Sequence, residues 1–262
     1  MKKNERLQAL HILTHVIQDG TPLLHSMQAA PDLSPLSKEL CFGVCRHYER
    51  LQALADCWVT KRPKQIDVWL CLLMGLYQLH YLRIPDYAVV KETVGLLTPI
   101  KKPWAKGLVN AVLRHYCREQ EAILLRLSDN LAFQYGHPAW LIKRIQQDWP
   151  DDWQTILKCN DIHPPMTLRI NAQHVTAKAY LLRLQEVGMD GCVLPFSPNG
   201  IALTTPCDVH DLPGFSEGHV SVQDEAAQLA ATLLDLKPNL RVLDACCAPG
   251  GKTGHILSLI HI

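Results

Sequence analysis

The sequence predicts a multidomain fold: an all-helical bundle, then a small α+β subdomain, then the start of a doubly wound α/β domain. Three observations predict it. Apolar residues recur at helical spacing through roughly the first 150 residues, the period changes to two after Pro164-Pro165, and a glycine-containing loop follows an apolar run near Asp244. The 262 residues are 48% hydrophobic, which suits folded domains and excludes a disordered chain.

The first half consists of predicted helices joined by short connections. A helix over 4–19 stops at Gly20. The next begins at Ser34-Pro35, because serine caps helix N-termini and proline suits the first turn, and it runs through Leu51. Further helices are predicted over 66–81, 86–97, 103–117, from His137-Pro138 to Pro150, and over 151–159.

The middle of the chain is predicted to alternate short strands with helices. A strand over 167–171 precedes an amphipathic helix over 176–187, whose apolar face includes Val187 and which stops at Gly188. Three further strands are predicted near 191–194, 201–204 and 219–222. This order fits a subdomain of ferredoxin-like or RNA-recognition-motif type.

The last part of the sequence predicts one β-loop-α unit. A helix over 224–235 closes at Pro238, a buried strand over 240–244 ends in Asp244, and a loop of small residues leads into a helix from Thr253. In doubly wound sheets, ligands bind at the carboxyl ends of the strands. The predicted domains are therefore residues 1–135, 136–235 (linker helices and the α+β subdomain) and 236–262.

Charge is distributed unevenly along the chain. The net charge is only +1, yet residues 1–150 carry 19 Lys and Arg against 13 Asp and Glu, whereas residues 151–262 carry 7 against 12. A basic first half suits a polyanionic partner, although an unevenly charged solvated surface explains the composition equally well.

Cysteine usage and hydropathy exclude several classes of protein. The ten cysteines include no C-x-x-C pair, and no secretory signal follows Met1, so we expect free thiols in a reducing cytoplasm. No four ligands with zinc spacing occur, so we expect no metal site. The longest apolar stretch, 68–82, is too short to span a bilayer, so we expect no membrane association.

Residues 244–253, with the sequence D-A-C-C-A-P-G-G-K-T, allow three interpretations. A Walker A phosphate loop would share the final G-K-T, but Cys246 stands where its first glycine belongs. A structural turn would use the glycines for close packing. An S-adenosylmethionine loop would use Gly250 and Gly251 to bring backbone to the ligand, with the following helix N-terminus facing its carboxylate.

This string resembles the L-D-x-C-A-A-P-G-G-K-T motif of the RNA 5-methylcytosine methyltransferases, the Sun or Fmu class. Other segments of the chain also resemble this family: 40–46, 74–79, 83–85, 100–103, 106–114, 137–141, 164–171 and 222–224. Those before residue 115 resemble the family's NusB-like RNA-binding domain. The resemblance therefore covers nearly the whole chain, and it implies a Rossmann-like methyltransferase domain beginning near residue 236.

The resemblance implies an enzyme that methylates carbon 5 of a cytosine in 16S ribosomal RNA, with S-adenosyl-L-methionine as cofactor, acting as a monomer. The implied cofactor-binding residues are Cys246, Cys247, Ala248, Pro249, Gly250, Gly251 and Lys252. Asp244 is expected to orient this loop. The family's two catalytic cysteines lie in motifs beyond residue 262, so we expect no catalytic residue within the chain and no activity from it alone. The alternatives are a non-catalytic NusB-like RNA-binding protein and a small NTPase.

RNA contact is predicted for a basic stretch that contains no acid between Glu92 and Glu119. Trp104 and Tyr116 interleave with its cations, and lysines and arginines in such a stripe would bind phosphates. An ordinary solvated helix face is the competing interpretation. The predicted RNA-binding residues are Lys101, Lys102, Lys106, Arg114 and Arg118.

Overall fold

The structure is a computed structural model that describes residues 4–30, 32–162, 164–237 and 239–259. The chain divides after residue 162 into two compact units, the first all helical and the second mixed. The helices of the first unit are α1 (Glu5–Asp19), α2 (Leu23–Gln28), α3 (Pro35–Arg46), α4 (Tyr48–Asp56), α5 (Ile66–Tyr81), α6 (Asp86–Gly95), a 3₁₀ turn (Pro103–Ala105), α7 (Lys106–Arg126), α8 (Leu131–Tyr135), α9 (Ala139–Asp148) and α10 (Trp153–Cys159).

Capping residues set several of these boundaries where the sequence predicts them. Asn4 caps α1 by accepting the Leu7 amide, and Gly20 ends the helix in a left-handed conformation with φ of 68°. Ser34 accepts the Ser37 amide at the start of α3. The predicted all-helical first half is confirmed.

Helix α5 is the centre of the bundle. Its residues 68–78 are all buried, and α1, α3, α4, α6 and α7 pack around it. Gly43 of α3 makes this packing possible, since a Cβ atom there would lie 2.0 Å from Cζ of Tyr77. A helix apolar on every side is expected at the middle of a core.

The helices of the structure differ from the predicted ones in three ways. The helix predicted to run through Leu51 is interrupted at His47, whose φ of −103° and ψ of 20° are not helical and whose ring stacks on Tyr81. This bend starts α4 in a new direction and buries Leu51 and Leu54. Helices α2 and α8 were not predicted, because five or six residues are too few to show a helical period. Helix α7 extends beyond residue 117, past a kink at Glu119.

The second unit has a four-stranded sheet in the order β2-β3-β1-β4, with every neighbouring pair antiparallel. This is the strand order of a ferredoxin-like subdomain, as predicted. Leu168 of β1 lies between Ile201 and Val222 on the adjacent strands. Its elements are β1 (Thr167–Ile170), α11 (Ala177–Glu186), β2 (Gly191–Val193), β3 (Gly200–Leu203), a 3₁₀ turn (Val209–Asp211), β4 (Val220–Val222), α12 (Glu225–Leu233) and α13 (Gly251–Leu259).

Helix α11 buries Tyr180 and Leu184 against the sheet. Val187, predicted on the same face, is instead 54% exposed, because the helix ends at Glu186 and the chain turns away at Gly188 with φ of 76°.

The predicted buried strand over 240–244 is wrong for the described residues. Residues 240–244 form no strand, and Leu243 is 88% exposed. A strand needs a neighbour for its amides and carbonyls, and none pairs with this segment among the described residues. Helix α13 starts at Gly251, two residues before the predicted start. Pro238 and residues 260–262 lie outside the described residues. No described helix is both long and apolar enough to cross a membrane.

Candidate cofactor loop and basic groove

Asp244 organises the loop that the sequence singles out. Its Oδ1 accepts the Cys246 amide at 3.0 Å, and its Oδ2 accepts the Thr253 hydroxyl at 2.6 Å. The two carboxylate oxygens therefore tie the start of the loop to the first turn of α13. This geometry agrees with the expectation that Asp244 orients the loop.

The glycines at the end of the loop present open backbone. Gly250 has φ of 108°, a conformation that other residues rarely adopt, and a Cβ atom at Gly250 or Gly251 would meet no atom within 4 Å. The Gly254 amide donates to the Gly250 carbonyl at 2.7 Å and closes the first turn of α13. Amides at the start of a helix lack intrahelical acceptors and favour negatively charged groups. The donors present therefore suit the carboxylate of a small ligand.

The same contacts disfavour the Walker A interpretation. Its threonine hydroxyl would bind a metal ion and its loop amides would surround phosphates. Here the Thr253 hydroxyl and the Cys246 amide are both bound to Asp244. The thiols of Cys246 and Cys247 are exposed and make no hydrogen bond to another described residue.

A buried polar contact fixes α13 on the sheet. Arg169 of β1 is 8% exposed and His255 of α13 is 4% exposed. Arg169 Nη1 donates to the Ser258 hydroxyl at 3.4 Å, and Gln173 Nε2 donates to the Ser258 carbonyl at 3.0 Å. Burial, and then the nearby Arg169 charge, lowers the pKa of His255 to about 4, so its ring is neutral near pH 7.

Helix α12, which α13 contacts, is anchored by a buried amide. Gln228 is 1% exposed; its Oε1 accepts the Ser197 hydroxyl at 2.6 Å and its Nε2 donates to the carbonyls of Gln223 and Leu168. These bonds satisfy a polar group whose burial would otherwise be costly. Arg169, His255 and Gln228 are not among the site residues that the sequence predicts. For Arg169, the sequence signal was its position between the apolar residues Leu168 and Ile170 of a predicted strand.

The structure distributes the predicted RNA-binding residues over different surfaces. Lys106, Arg114 and Arg118 of α7 share one groove, as their helical spacing predicts, whereas Lys102 lines another beside Lys64. Lys101, at a φ of 60°, lines neither. The first surface, called the α6–α7 groove below, has a volume of about 570 Å³ and is lined by Asp86, Tyr87, Val90, Lys91, Val94, Gly95, Lys106, Asn110, Arg114, Cys117 and Arg118.

The two interleaved aromatic residues differ in exposure. Trp104 is 58% exposed, whereas Tyr116 is 1% exposed and its hydroxyl pairs with Nδ1 of His80. Tyr116 is therefore a core residue and cannot stack on a nucleotide. Among the described residues, no group of three or more His, Cys, Asp or Glu side chains could hold a metal ion.

Three protein-family models match consecutive parts of the chain. The NusB family matches residues 3–118, the RsmF/B-like methyltransferase ferredoxin-like domain matches 137–210, and 16S rRNA methyltransferase RsmB/F matches 231–262. Relatives that align over nearly the whole chain are likewise named as methyltransferases of small-subunit ribosomal RNA. The chain belongs to the RsmB/F methyltransferase family.

Two relatives within the RsmB/F family, from Pseudomonas syringae and Pseudomonas putida, are 47% identical over 98% and 97% of this chain. Another, from Vibrio cholerae, is 42% identical over 97%. Each is named "Ribosomal RNA small subunit methyltransferase B", and the chain spans 59–60% of their length. The crystal structure of PH0851 shares the fold, with a TM-score of 0.67 and 17% identity over 99% of this chain and 61% of its own.

Proposed function

We propose that the chain supplies the RNA-facing domains and the first cofactor loop of an enzyme that methylates carbon 5 of a cytosine in 16S ribosomal RNA. The observation that carries this proposal is the glycine loop anchored by Asp244, which lies inside the segment matched by the 16S rRNA methyltransferase RsmB/F model. The names of the relatives support ribosomal RNA of the small subunit as the substrate.

The cofactor proposed for this loop is S-adenosyl-L-methionine. Backbone amides from Gly250 to Lys252 would hold its carboxylate at the N-terminus of α13, with Cys246, Cys247, Ala248 and Pro249 forming the wall of the loop. When bound, this cofactor supplies the electrophilic methyl group. Asp244 is a positioning residue, since both of its oxygens face the loop itself.

Catalysis is assigned to cysteines outside the 262 residues. Resemblance to the family places the thiolate that attacks carbon 6 of cytosine, and the cysteine that assists release, in later motifs. Cys246 and Cys247 belong to the cofactor loop and are not proposed as nucleophiles. We therefore propose that the 262 residues alone transfer no methyl group.

Location and assembly follow from the proposed substrate. Ribosomal RNA is methylated where ribosomes assemble, and all ten cysteines are free thiols, which suits the reducing cytoplasm. We propose a monomer without membrane association or a metal ion.

The test uses a gene product extended to the length of the relatives. Incubated with S-adenosylmethionine labelled in its methyl group and with 16S ribosomal RNA, it should yield labelled 5-methylcytosine. Asp244→Ala in the same product should raise the KM for the cofactor more than it lowers kcat. ATP binding at the loop, or methylation of another base or another position, would refute the proposal. RNA binding without any methyl transfer would favour a non-catalytic RNA-binding protein.

A further inference from the structure

We propose that the α6–α7 groove binds a single-stranded segment of RNA, with the ring of Tyr87 stacking on a base and the groove cations contacting phosphates. This inference rests on the proposed function, which supplies its substrate class, RNA. It adds where the RNA binds and that the bound RNA is single-stranded, neither of which the family resemblance gives.

The groove is strongly and openly cationic. Lys91, Lys106, Arg114 and Arg118 line it against a single carboxylate, Asp86. None of the four cations forms an ion pair with a carboxylate within the part of the chain that the structure describes. Cations that face one concave surface without a carboxylate partner attract a polyanion, and they do so more strongly at low salt.

The one acid of the groove lies beside a protonated thiol. Burial, and then the nearby Asp86 charge, raises the pKa of the Cys117 thiol to about 11, so the thiol is neutral near pH 7. Asp86 is therefore a single negative charge set against four cations in the lining of the groove.

Tyr87 supplies a surface for a base. Its side chain is 78% exposed in the first turn of α6, one turn before Lys91. Val90, which is 7% exposed, also lines the groove. An exposed aromatic ring beside cations is the usual arrangement for single strands, whose unpaired bases stack on it irrespective of sequence. A duplex keeps its bases stacked inside and gains nothing from the ring.

The cations extend along the groove. Lys106, Asn110, Arg114 and Arg118 occur at every fourth position of α7, and four residues advance a helix by about 6 Å. Arg114 Nε donates to the Asn110 amide oxygen at 3.1 Å, which leaves its terminal nitrogens for a ligand. Donors repeated at this interval suit a chain of phosphates. An acidic peptide would use the cations but has no need for the exposed ring.

The test measures binding of the 262-residue chain to a fluorescent single-stranded 12-nucleotide RNA and to its duplex, each at two salt concentrations. Tyr87→Ala should weaken single-strand binding by about 5- to 150-fold, the range for loss of one stacked base, and leave duplex binding unchanged. Tyr87→Phe should bind like the unsubstituted chain, because it keeps the ring. Lys106→Glu with Arg114→Glu should weaken binding and flatten its salt dependence, whereas Lys101→Glu with Lys102→Glu, an equal charge change outside the groove, should have a much smaller effect.

Three outcomes would overturn the inference. Equal affinity of Tyr87→Ala and the unsubstituted chain would exclude stacking, and equal effects of the two charge-reversal pairs would exclude the groove. Binding of a polyglutamate peptide in preference to RNA would assign the groove to an acidic protein partner. The proposed function would survive all three, because it is tested separately by methyl transfer in the extended product.

Discussion

Arg50 of α4 holds the short helices at the end of the first unit against the bundle. Its Nε donates to the Phe133 carbonyl at 2.9 Å, and its Nη2 donates to the Gln134 carbonyl at 3.1 Å and to Asp161 Oδ2 at 2.6 Å. Gly136 makes room for the guanidinium, since a Cβ atom there would lie 3.2 Å from Arg50 Cζ. One side chain thus joins α4 to both α8 and the segment after α10.

Replacing Arg50 with alanine removes these three hydrogen bonds and a fourth, from Nη1 to the His47 ring at 3.2 Å, at a site where the arginine is 18% exposed and Asp161 is 26% exposed. At about 1 kcal/mol for each bond, the loss in the free energy of unfolding is about 4 kcal/mol. For a unit of this size, each kcal/mol lowers Tm by about 2–4 °C, so Arg50→Ala should lower Tm by about 8–16 °C.

Circular dichroism at 222 nm measures this shift, because most of the helices lie in the first unit. Arg144→Ala is the matched control, since Arg144 pairs with Asp148 at 2.8 Å on an exposed surface, where ion pairs contribute about 0–1 kcal/mol. Arg50→Lys should be intermediate, as a lysine can reach one acceptor but not three. Equal Tm values for Arg50→Ala and Arg144→Ala would refute the reasoning.

Three further predictions test the core, the support of the cofactor loop and the loop itself. Gly43→Ala should lower the free energy of unfolding by about 1–3 kcal/mol, because the new methyl group collides with Tyr77. The control Gly107→Ala, whose methyl group meets no neighbour, should change it by less than about 1 kcal/mol. Urea unfolding midpoints measure both variants, and equal midpoints would contradict the packing argument. Burial, and then the Arg169 charge, lowers the pKa of His255 from 6.5 to about 4 on folding, so between these values the unfolded chain binds a proton that the folded chain does not. Amide protection of α13 should therefore be full above pH 6.5 and fall as the pH decreases toward 4, and His255→Gln should remove this dependence; unchanged dependence would assign it to another group. Isothermal calorimetry of the 262-residue chain with S-adenosylmethionine should show no binding, because residues 240–244 pair with no strand among the described residues and leave the loop open. A saturable heat would contradict this.

The helices of the first unit were predictable wherever the signal was local. Asn4 and Ser34 satisfy helix amides with their own side chains, and Gly20 adopts a backbone conformation that its sequence permits. The break at His47 was not predictable, because it results from stacking on Tyr81, more than thirty residues away. Only one side of the α6–α7 groove could be predicted, because its two sides come from helices that meet through tertiary packing. The basic side of α7 is visible in the sequence, but Tyr87 joins it only through the packing of α6.

In the second unit, too, local features were predictable from the sequence and long-range contacts were not. The sequence predicted four short strands and a ferredoxin-like or RNA-recognition-motif type of subdomain, because turn residues separate the short apolar segments and the connecting helix ends at a glycine. The pairing of Arg169 with Ser258 joins residues 89 positions apart, and no local pattern indicates it. Arg169 shows that a charged side chain inside a strand can anchor a segment far along the chain.

The cofactor loop and the strand before it depend on different interactions. Asp244 fixes the loop through two bonds within nine residues, so the loop keeps its shape while residues 240–244 remain without strand pairing. Strand formation requires a neighbouring backbone and would bury Leu243, which is now 88% exposed. Pairing of this segment with another strand would therefore enclose a loop that is already organised. In the enzyme proposed above, affinity for the cofactor would therefore depend on this strand pairing as well as on the loop that Asp244 fixes.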